Sequence, residues 1–134
     1  GYSVSSGDFN GDGYADVLIG AIGAAGSSNS ASNTGETYVV FGKASGWAAS
    51  MSVSSLDGTN GLVIYGRDSG DRAGGSVSSG DFNGDGYADV LIGAIGAAGS
   101  SNSASNTGET YVVFGKASGW AASMSVSSLD GTNG

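Results

Sequence analysis

Short runs of consecutive apolar residues, separated by long polar stretches rich in Gly and Ser, form the hydrophobic pattern of this chain. The runs predict strands at residues 16–21, 36–42 and 62–65, because β-branched and aromatic residues dominate them and helical spacing is absent. A further strand, made of small residues, is predicted at residues 3–9. Since the runs are apolar at successive positions, both faces of the resulting sheet are expected to be covered.

The polar stretches predict long connections between these strands. They cover residues 22–35, 43–61 and 67–73. The second connection contains a short predicted strand at residues 51–53 and an Asp57-Gly58 turn.

The whole pattern occurs twice. Residues 1–61 align with residues 74–134 at an offset of 73, and the single difference is Tyr2 against Gly75. Because natural repeats usually drift in their surface loops, this identity indicates an engineered or very recently duplicated sequence, and engineering is the favoured explanation. We predict two repeat units, residues 1–73 and 74–134, that bury their apolar faces against each other. The second unit lacks the final outer strand.

The strand pattern predicts an all-β fold. Stacked four-stranded antiparallel sheets are typical of the blades of a β-propeller. Small residues in the first strand suit a position near the propeller axis, where blades crowd together, and the bulky later strands suit the periphery. A β-solenoid and a stacked sandwich are the alternatives.

Each unit contains the same acidic loop, DFNGDGYADVLIG, which is predicted to bind calcium between the first and second strands. Loop positions 1, 3, 5 and 9 carry side-chain oxygens and position 7 offers a carbonyl, and oxygen is the ligand atom that calcium prefers. The glycine at position 6 permits a sharp turn. The predicted ligands are Asp8, Asn10, Asp12, Asp16 and the Tyr14 carbonyl, and in the second unit Asp81, Asn83, Asp85, Asp89 and the Tyr87 carbonyl.

Two alternatives to a calcium loop exist. Asn-Gly and Asp-Gly pairs also form bare turns, and magnesium or manganese accepts similar ligands. A bare turn, however, gives no reason to place three mutually repelling carboxylates within nine residues. An ordinary EF-hand is excluded, because Ile19 and Ile92 stand where that loop has its final glutamate. We therefore predict about one calcium ion per unit.

The composition excludes several function classes. With four Lys and Arg against twelve acidic residues and a net charge of −8, nucleic acid and anionic membranes are poor partners. The chain has no His and no Cys, so nucleophile–His pairs are absent. The loops look saturated by protein ligands, which is typical of a structural metal rather than a catalytic one. We therefore predict no enzymatic activity.

Other candidate residues are interpreted as structural. Trp47 and Trp120 are expected to pack at sheet edges, with sugar stacking as the alternative. Glu36 and Glu109 are expected to face solvent, because no second carboxylate is near them in sequence. A group of charged residues in the connection between units is expected to form local surface ion pairs, with a ligand-contacting loop as the alternative. These are Arg67, Asp68, Asp71 and Arg72.

The segments GYSVSSGDFNGDGYADVLIGA, TGETYVVFG and SSLDGTNG resemble the FG-GAP repeat, the blade of the integrin α-subunit β-propeller and of many bacterial surface and secreted proteins. The resemblance covers nearly the whole chain. It implies calcium in the first loop of each blade, about seven blades in a closed ring, and an extracellular or cell-surface location. It also implies ligand contacts through upper-face loops, here residues 22–35 and 67–73. A calcium-stabilised scaffold is thus the first functional hypothesis, and an adhesion or ligand-binding module is the alternative.

The sequence departs from the family pattern in ways that bear on assembly. The Phe-Gly that names the repeat is incomplete, since Ala73 precedes Gly74. Two blades do not close a ring, and exposed apolar blade faces promote association. Three chains would give six blades and four chains eight in a cyclic homo-oligomer. Residues 109–115 are expected to form an unpaired edge. We therefore expect a homo-oligomer or a segment of a longer array.

Overall fold

The computed structural model describes residues 1–27, 29–99 and 107–134, which fold almost entirely as β-structure. The all-β prediction is confirmed. No helix in these residues is long or apolar enough to cross a membrane. The strands are β1 Ser3–Gly7, β2 Asp16–Ala21, β3 Glu36–Val40, β4 Gly61–Tyr65, β5 Ala73–Gly80, β6 Asp89–Ala94, β7 Glu109–Val113 and β8 Ser123–Ser125, and short 3-10 helices lie at Val53–Ser55 and Val126–Ser128.

The first sheet has the strand order β1-β2-β3-β4-β8. Strands β1 to β4 form an antiparallel meander, and β8 adds to the β4 edge in parallel orientation. The predicted first and third strands are too long, since β1 ends before Phe9 and β3 ends before Gly42. The physical reason is that the backbone N–H groups of Phe9 and Gly42 bind the Asp16 carboxylate instead of a neighbouring strand.

The second sheet has the order β5-β6-β7, and both pairs of strands are antiparallel. The register of β5 against β6 shifts between Ala73 and Ser76. Strand β7 forms the outer edge of this sheet, which agrees with the edge predicted at residues 109–115.

The predicted short strand at residues 51–53 forms in only one of the two copies. In the second copy the equivalent segment is β8, whose Met124 lies opposite Ile64 of β4. In the first copy the residues just before Val53 are not in a strand, although a 3-10 helix begins at this valine in both copies. The sequences are identical, so the difference comes from the free β4 edge that only β8 reaches.

The two sheets pack face to face around one hydrophobic core, in which β5 lies against β1 and β2. Small residues allow this close approach, since a Cβ at Gly20 would collide with the carbonyl oxygen of Gly74. The Ser79 hydroxyl donates to the Ser6 carbonyl at 2.6 Å, and the Ser3 hydroxyl donates to the Gly74 carbonyl at 2.8 Å. Buried apolar residues from both sheets complete the core: Phe9, Leu18, Val39, Phe41, Leu62, Ile64, Val90, Ile92 and Val113.

Candidate metal loops and the contact between the sheets

The first acidic loop curls around the side-chain oxygens of its own residues. The Asp8 carboxylate accepts the N–H groups of Asp12 at 3.1 Å and Gly13 at 2.9 Å. The Asn10 side-chain oxygen also accepts the Asp12 N–H, and one Asp12 oxygen accepts the Tyr14 N–H at 2.9 Å. Gly13 adopts a φ of 86°, in the left-handed region that favours glycine. The loop therefore directs the side-chain oxygens of positions 1, 3 and 5 inward.

The second loop repeats these internal hydrogen bonds and adds one, from the Gly84 N–H to the Asp81 carboxylate at 2.7 Å. Asp81 accepts the N–H groups of Asp85 at 3.1 Å and Gly86 at 3.0 Å, and Asp85 accepts the N–H of Tyr87 at 2.9 Å. Asn83 accepts the Asp85 N–H at 3.0 Å. Because the two loops have different surroundings and the same geometry, local sequence determines their shape.

The carboxylate at position 9 makes hydrogen bonds that the sequence did not indicate. Asp16 is fully buried, and its two oxygens accept the N–H groups of Phe9 and Gly42, both at 2.8 Å. Asp89 repeats this arrangement toward the N–H groups of Phe82 and Gly115. Each of these carboxylates therefore links the start of its acidic loop to the end of the third strand.

The three carboxylates of the first loop interact electrostatically. Burial raises the pKa of Asp16, its hydrogen bonds from Gly42 and Phe9 oppose that rise, and the negative charges of Asp12 and Asp8 add to it. A cation in the loop would relieve this repulsion.

The donor set of both loops fits calcium in chemistry. Carboxylate, amide and carbonyl oxygens are hard ligands, and the carbonyls of Tyr14 and Tyr87 accept no hydrogen bond from any described residue. Within the described residues, no three acidic side chains are gathered into a ready-made metal cluster. The calcium assignment and its ten ligands stay a prediction.

The first loop also forms part of the contact between the sheets. The Ala88 N–H donates to the Asp8 carbonyl and the Lys116 N–H donates to the Phe9 carbonyl, both at 3.0 Å. The Phe9 side chain is fully buried in the core shared by the two sheets, whereas its equivalent Phe82 is 55% exposed. Sequence reasoning missed these residues, because their contacts join residues far apart in the chain.

The prediction that Glu36 and Glu109 face solvent is wrong. Glu36 is buried and accepts a hydrogen bond from the Tyr38 hydroxyl, and Tyr111 makes the same bond to Glu109. Residues two apart in a strand lie on one face, so each tyrosine reaches its glutamate. Burial raises the pKa of Tyr38 and Tyr111, and the hydrogen bond to the neighbouring glutamate adds to that rise.

The charged connection is only partly a set of local ion pairs. Arg67 pairs with Asp68 at 2.8 Å, as predicted, but it also reaches Glu109 of the second sheet at 3.0 Å. Asp71 is buried and accepts the Asp68 N–H. The Arg72 N–H donates to a carbonyl in the 22–35 connection, so the two predicted ligand-contacting loops are hydrogen-bonded to each other.

The two tryptophans differ in their packing. Trp120 packs against the core, with its ring centroid 6.1 Å from that of Phe41 in the first sheet, so its predicted packing role is confirmed. Trp47 is 54% exposed, and the packing prediction is wrong for it in this chain. The reason is that Trp120 contacts the other sheet, while among the described residues no sheet stands in that position beside Trp47.

Comparison with protein families agrees with this arrangement. The model of the FG-GAP repeat matches residues 1–40 and again residues 73–113, more than half of the chain. Each match includes one acidic loop and three strands. A comparison with curated proteins finds no match.

Proposed function

Because the chain belongs to the FG-GAP repeat family, we propose that it is a calcium-stabilised β-propeller scaffold without catalytic activity. The observation that carries this proposal is the position of the first acidic loop, whose Asp8 and Phe9 carbonyls accept hydrogen bonds from the second sheet. Fixing that loop therefore also fixes how one sheet stacks on the next. The near-identity of the copies supports a designed or recently duplicated repeat.

The sheet arrangement supports a propeller. Strands β1 to β4 form a four-stranded antiparallel meander, and the second sheet stacks on it face to face. The innermost strands are rich in Ser and Gly and approach closely, as blades do near a propeller axis. The family is typically extracellular or surface-associated, and we place this protein there.

Calcium would supply positive charge that offsets the repulsion among the loop carboxylates. In the first loop it would be held by Asp8, Asn10, Asp12, Asp16 and the Tyr14 carbonyl. The chain's own part is to hold these oxygens in place through backbone N–H groups and to present the loop carbonyls to the neighbouring sheet. Its role is therefore structural.

The described residues also support a non-catalytic role. Glu36 and Glu109, the glutamates of the chain, are engaged by tyrosine hydroxyls, and Glu109 also by Arg67. With no His or Cys in the sequence, no nucleophile–base pair of the usual kind can form.

Substituting Asp12→Ala tests the calcium role. We expect the melting temperature to fall by roughly 10 °C in calcium-containing buffer and to change little in chelator, because a cation that binds only the folded chain stabilises it by about 2.7 kcal/mol at a hundredfold excess over its Kd. The measurement is thermal unfolding followed by circular dichroism under both conditions.

Asp57→Ala is the matched control for that experiment. Asp57 organises an acidic turn outside the loops through Thr59 and Asn60. Its loss should lower the melting temperature equally in calcium and in chelator. An Asp12→Ala effect of equal size under the two conditions would contradict the calcium role.

A further inference from the structure

We propose that this chain binds other copies of itself head to tail, with Phe82 of one copy buried against the open face of the first sheet of the next. The inference rests on the proposed propeller scaffold and specifies its partner. The contact between the two sheets of one chain serves as the template, because residues 1–61 recur as residues 74–134 with one difference. The open surfaces therefore carry the residues of the template, apart from residues 62–73, which occur once.

We call the uncovered face of the second sheet, which carries Phe82, the head surface. Phe9, the equivalent of Phe82, has no exposed surface, because the second sheet covers it. Phe82 follows the same strand and loop in the second copy and is 55% exposed. We call residues at equivalent positions of the two copies twins. Because Phe9 is buried and its twin Phe82 is exposed, a surface like the one that covers Phe9 would also cover Phe82.

We call the open face of the first sheet, which carries Val17, the tail surface. It has the same residues as the surface that covers Phe9. Val90 is fully buried between the sheets, and its twin Val17 is 41% exposed. The residue is valine in both copies, so the tail exposes to solvent an apolar side chain that is buried where the two sheets of one chain meet.

Backbone hydrogen-bonding groups at the two surfaces are complementary. In the template, the N–H groups of Ala88 and Lys116 donate to the carbonyls of Asp8 and Phe9. Their twins on the tail are the N–H groups of Ala15 and Lys43, which make no hydrogen bond among the described residues. On the head, the carbonyls of residues 81 and 82 likewise accept none from the described part of the chain. A second copy placed as in the template satisfies two donors and two acceptors, and unpaired backbone groups favour such pairing.

An aromatic contact extends the match. Phe41, which follows β3, meets Trp120, which lies between β7 and β8, in the template. Their twins are Phe114 on the head and Trp47 on the tail, and Trp47 is exposed. Head-to-tail docking would bring these two rings together in the same way.

The two copies differ at one position, where Tyr2 stands in place of the template's Gly75. The heavy atoms nearest to a Cβ built at Gly75 are 3.4–3.7 Å away, on Arg72, Ile95 and Gly93, so the template leaves room for a side chain to begin there. Since the head and tail are different surfaces, the interface is heterologous. Repetition gives a closed ring if the rotation closes and an open filament if it does not.

A mixing experiment with two interface variants tests the proposal. Phe82→Asp disables the head and leaves the tail intact, and Val17→Asp disables the tail and leaves the head intact. Native mass spectrometry and sedimentation velocity in calcium buffer should show oligomers of three or more chains for the unaltered protein and monomers for each variant alone. The two variants mixed should form a one-to-one dimer and nothing larger, because only one functional head and one functional tail meet.

Tyr2→Gly is the matched control, since it gives the first copy the residue that the second copy has at the one position where the two differ. It should assemble as the unaltered chain does. Circular dichroism checks that each variant keeps its β-sheet signal, and Phe82→Ser gives the same readout through a smaller change if the aspartate variant unfolds.

Three results would overturn the proposal: a folded unaltered chain that stays monomeric at every concentration, a Phe82 variant that assembles normally, or folded variants that do not dimerise when mixed. Failure of the calcium role is distinguishable from these. Assembly that persists in chelator, with no calcium effect on melting, would contradict calcium stabilisation and leave head-to-tail docking intact. Calcium-dependent melting of a chain that never assembles would support calcium stabilisation and contradict head-to-tail docking.

Discussion

Phe9→Ala is expected to lower the free energy of unfolding by about 3–5 kcal/mol, because it removes a fully buried aromatic side chain and leaves a cavity between the sheets. The same substitution at its twin, Phe82→Ala, is expected to cost less than about 1 kcal/mol in the monomer, since that side chain is mostly in water. Both are to be made in the Val17→Asp background, which prevents self-association, and measured by urea unfolding in calcium buffer.

This pair is a matched comparison, because the two residues sit in identical local sequence. Propensity, loop composition and the unfolded chain contribute alike to both measurements. Any difference between them therefore reports the packing of the second sheet on the first. Equal losses of stability would contradict the sheet contact described above.

Asp16→Ala is expected to cost about 2–6 kcal/mol in chelator, and more in calcium, because Asp16 is also one of the proposed calcium ligands. It leaves the backbone N–H groups of Phe9 and Gly42 without an acceptor, and each buried donor that loses its partner costs about 1–3 kcal/mol. Asp16→Asn retains one acceptor oxygen and should show an intermediate loss. Urea unfolding in chelator isolates this effect, because any contribution from a bound cation is then removed.

Asp12→Ala provides the contrast in the same chelator experiment. Asp12 is exposed, and among the described residues its carboxylate accepts hydrogen bonds from its own loop alone. Its substitution should therefore be much less costly there than Asp16→Ala. Equal losses for the two variants in chelator would show that the Asp16 carboxylate does not link the loop to the third strand.

Much of the fold could be predicted from the sequence because the relevant signals are local. The apolar run of β2 specified a strand whose bounds match the prediction. The Asp8 and Asp81 carboxylates bind N–H groups four and five residues further along the chain, so the same shape appears in both copies. The resemblance to the FG-GAP repeat, which depends on the same local motifs, is confirmed by the family comparison.

The ends of the strands and the burial of polar groups could not be predicted in this way. Gly42 ends the third strand because its N–H meets a carboxylate 26 residues earlier in the chain. Glu36 is buried because of its partner tyrosine and its position at the β3–β4 pair. Glu109 is partly buried because Arg67 reaches it from the other half. The pattern of apolar and polar residues along the chain does not predict such contacts.

The duplicated sequence separates the contribution of local sequence from that of tertiary structure. By itself it determined the strands, the acidic loops and the side chains available for stacking, and it gave both copies the same ones. It could not determine that Phe9 is buried and Phe82 exposed, or that residues 123–125 form a strand while residues 50–52 do not. Burial and strand pairing require a second surface or a free edge, and only the tertiary structure decides which copy has one.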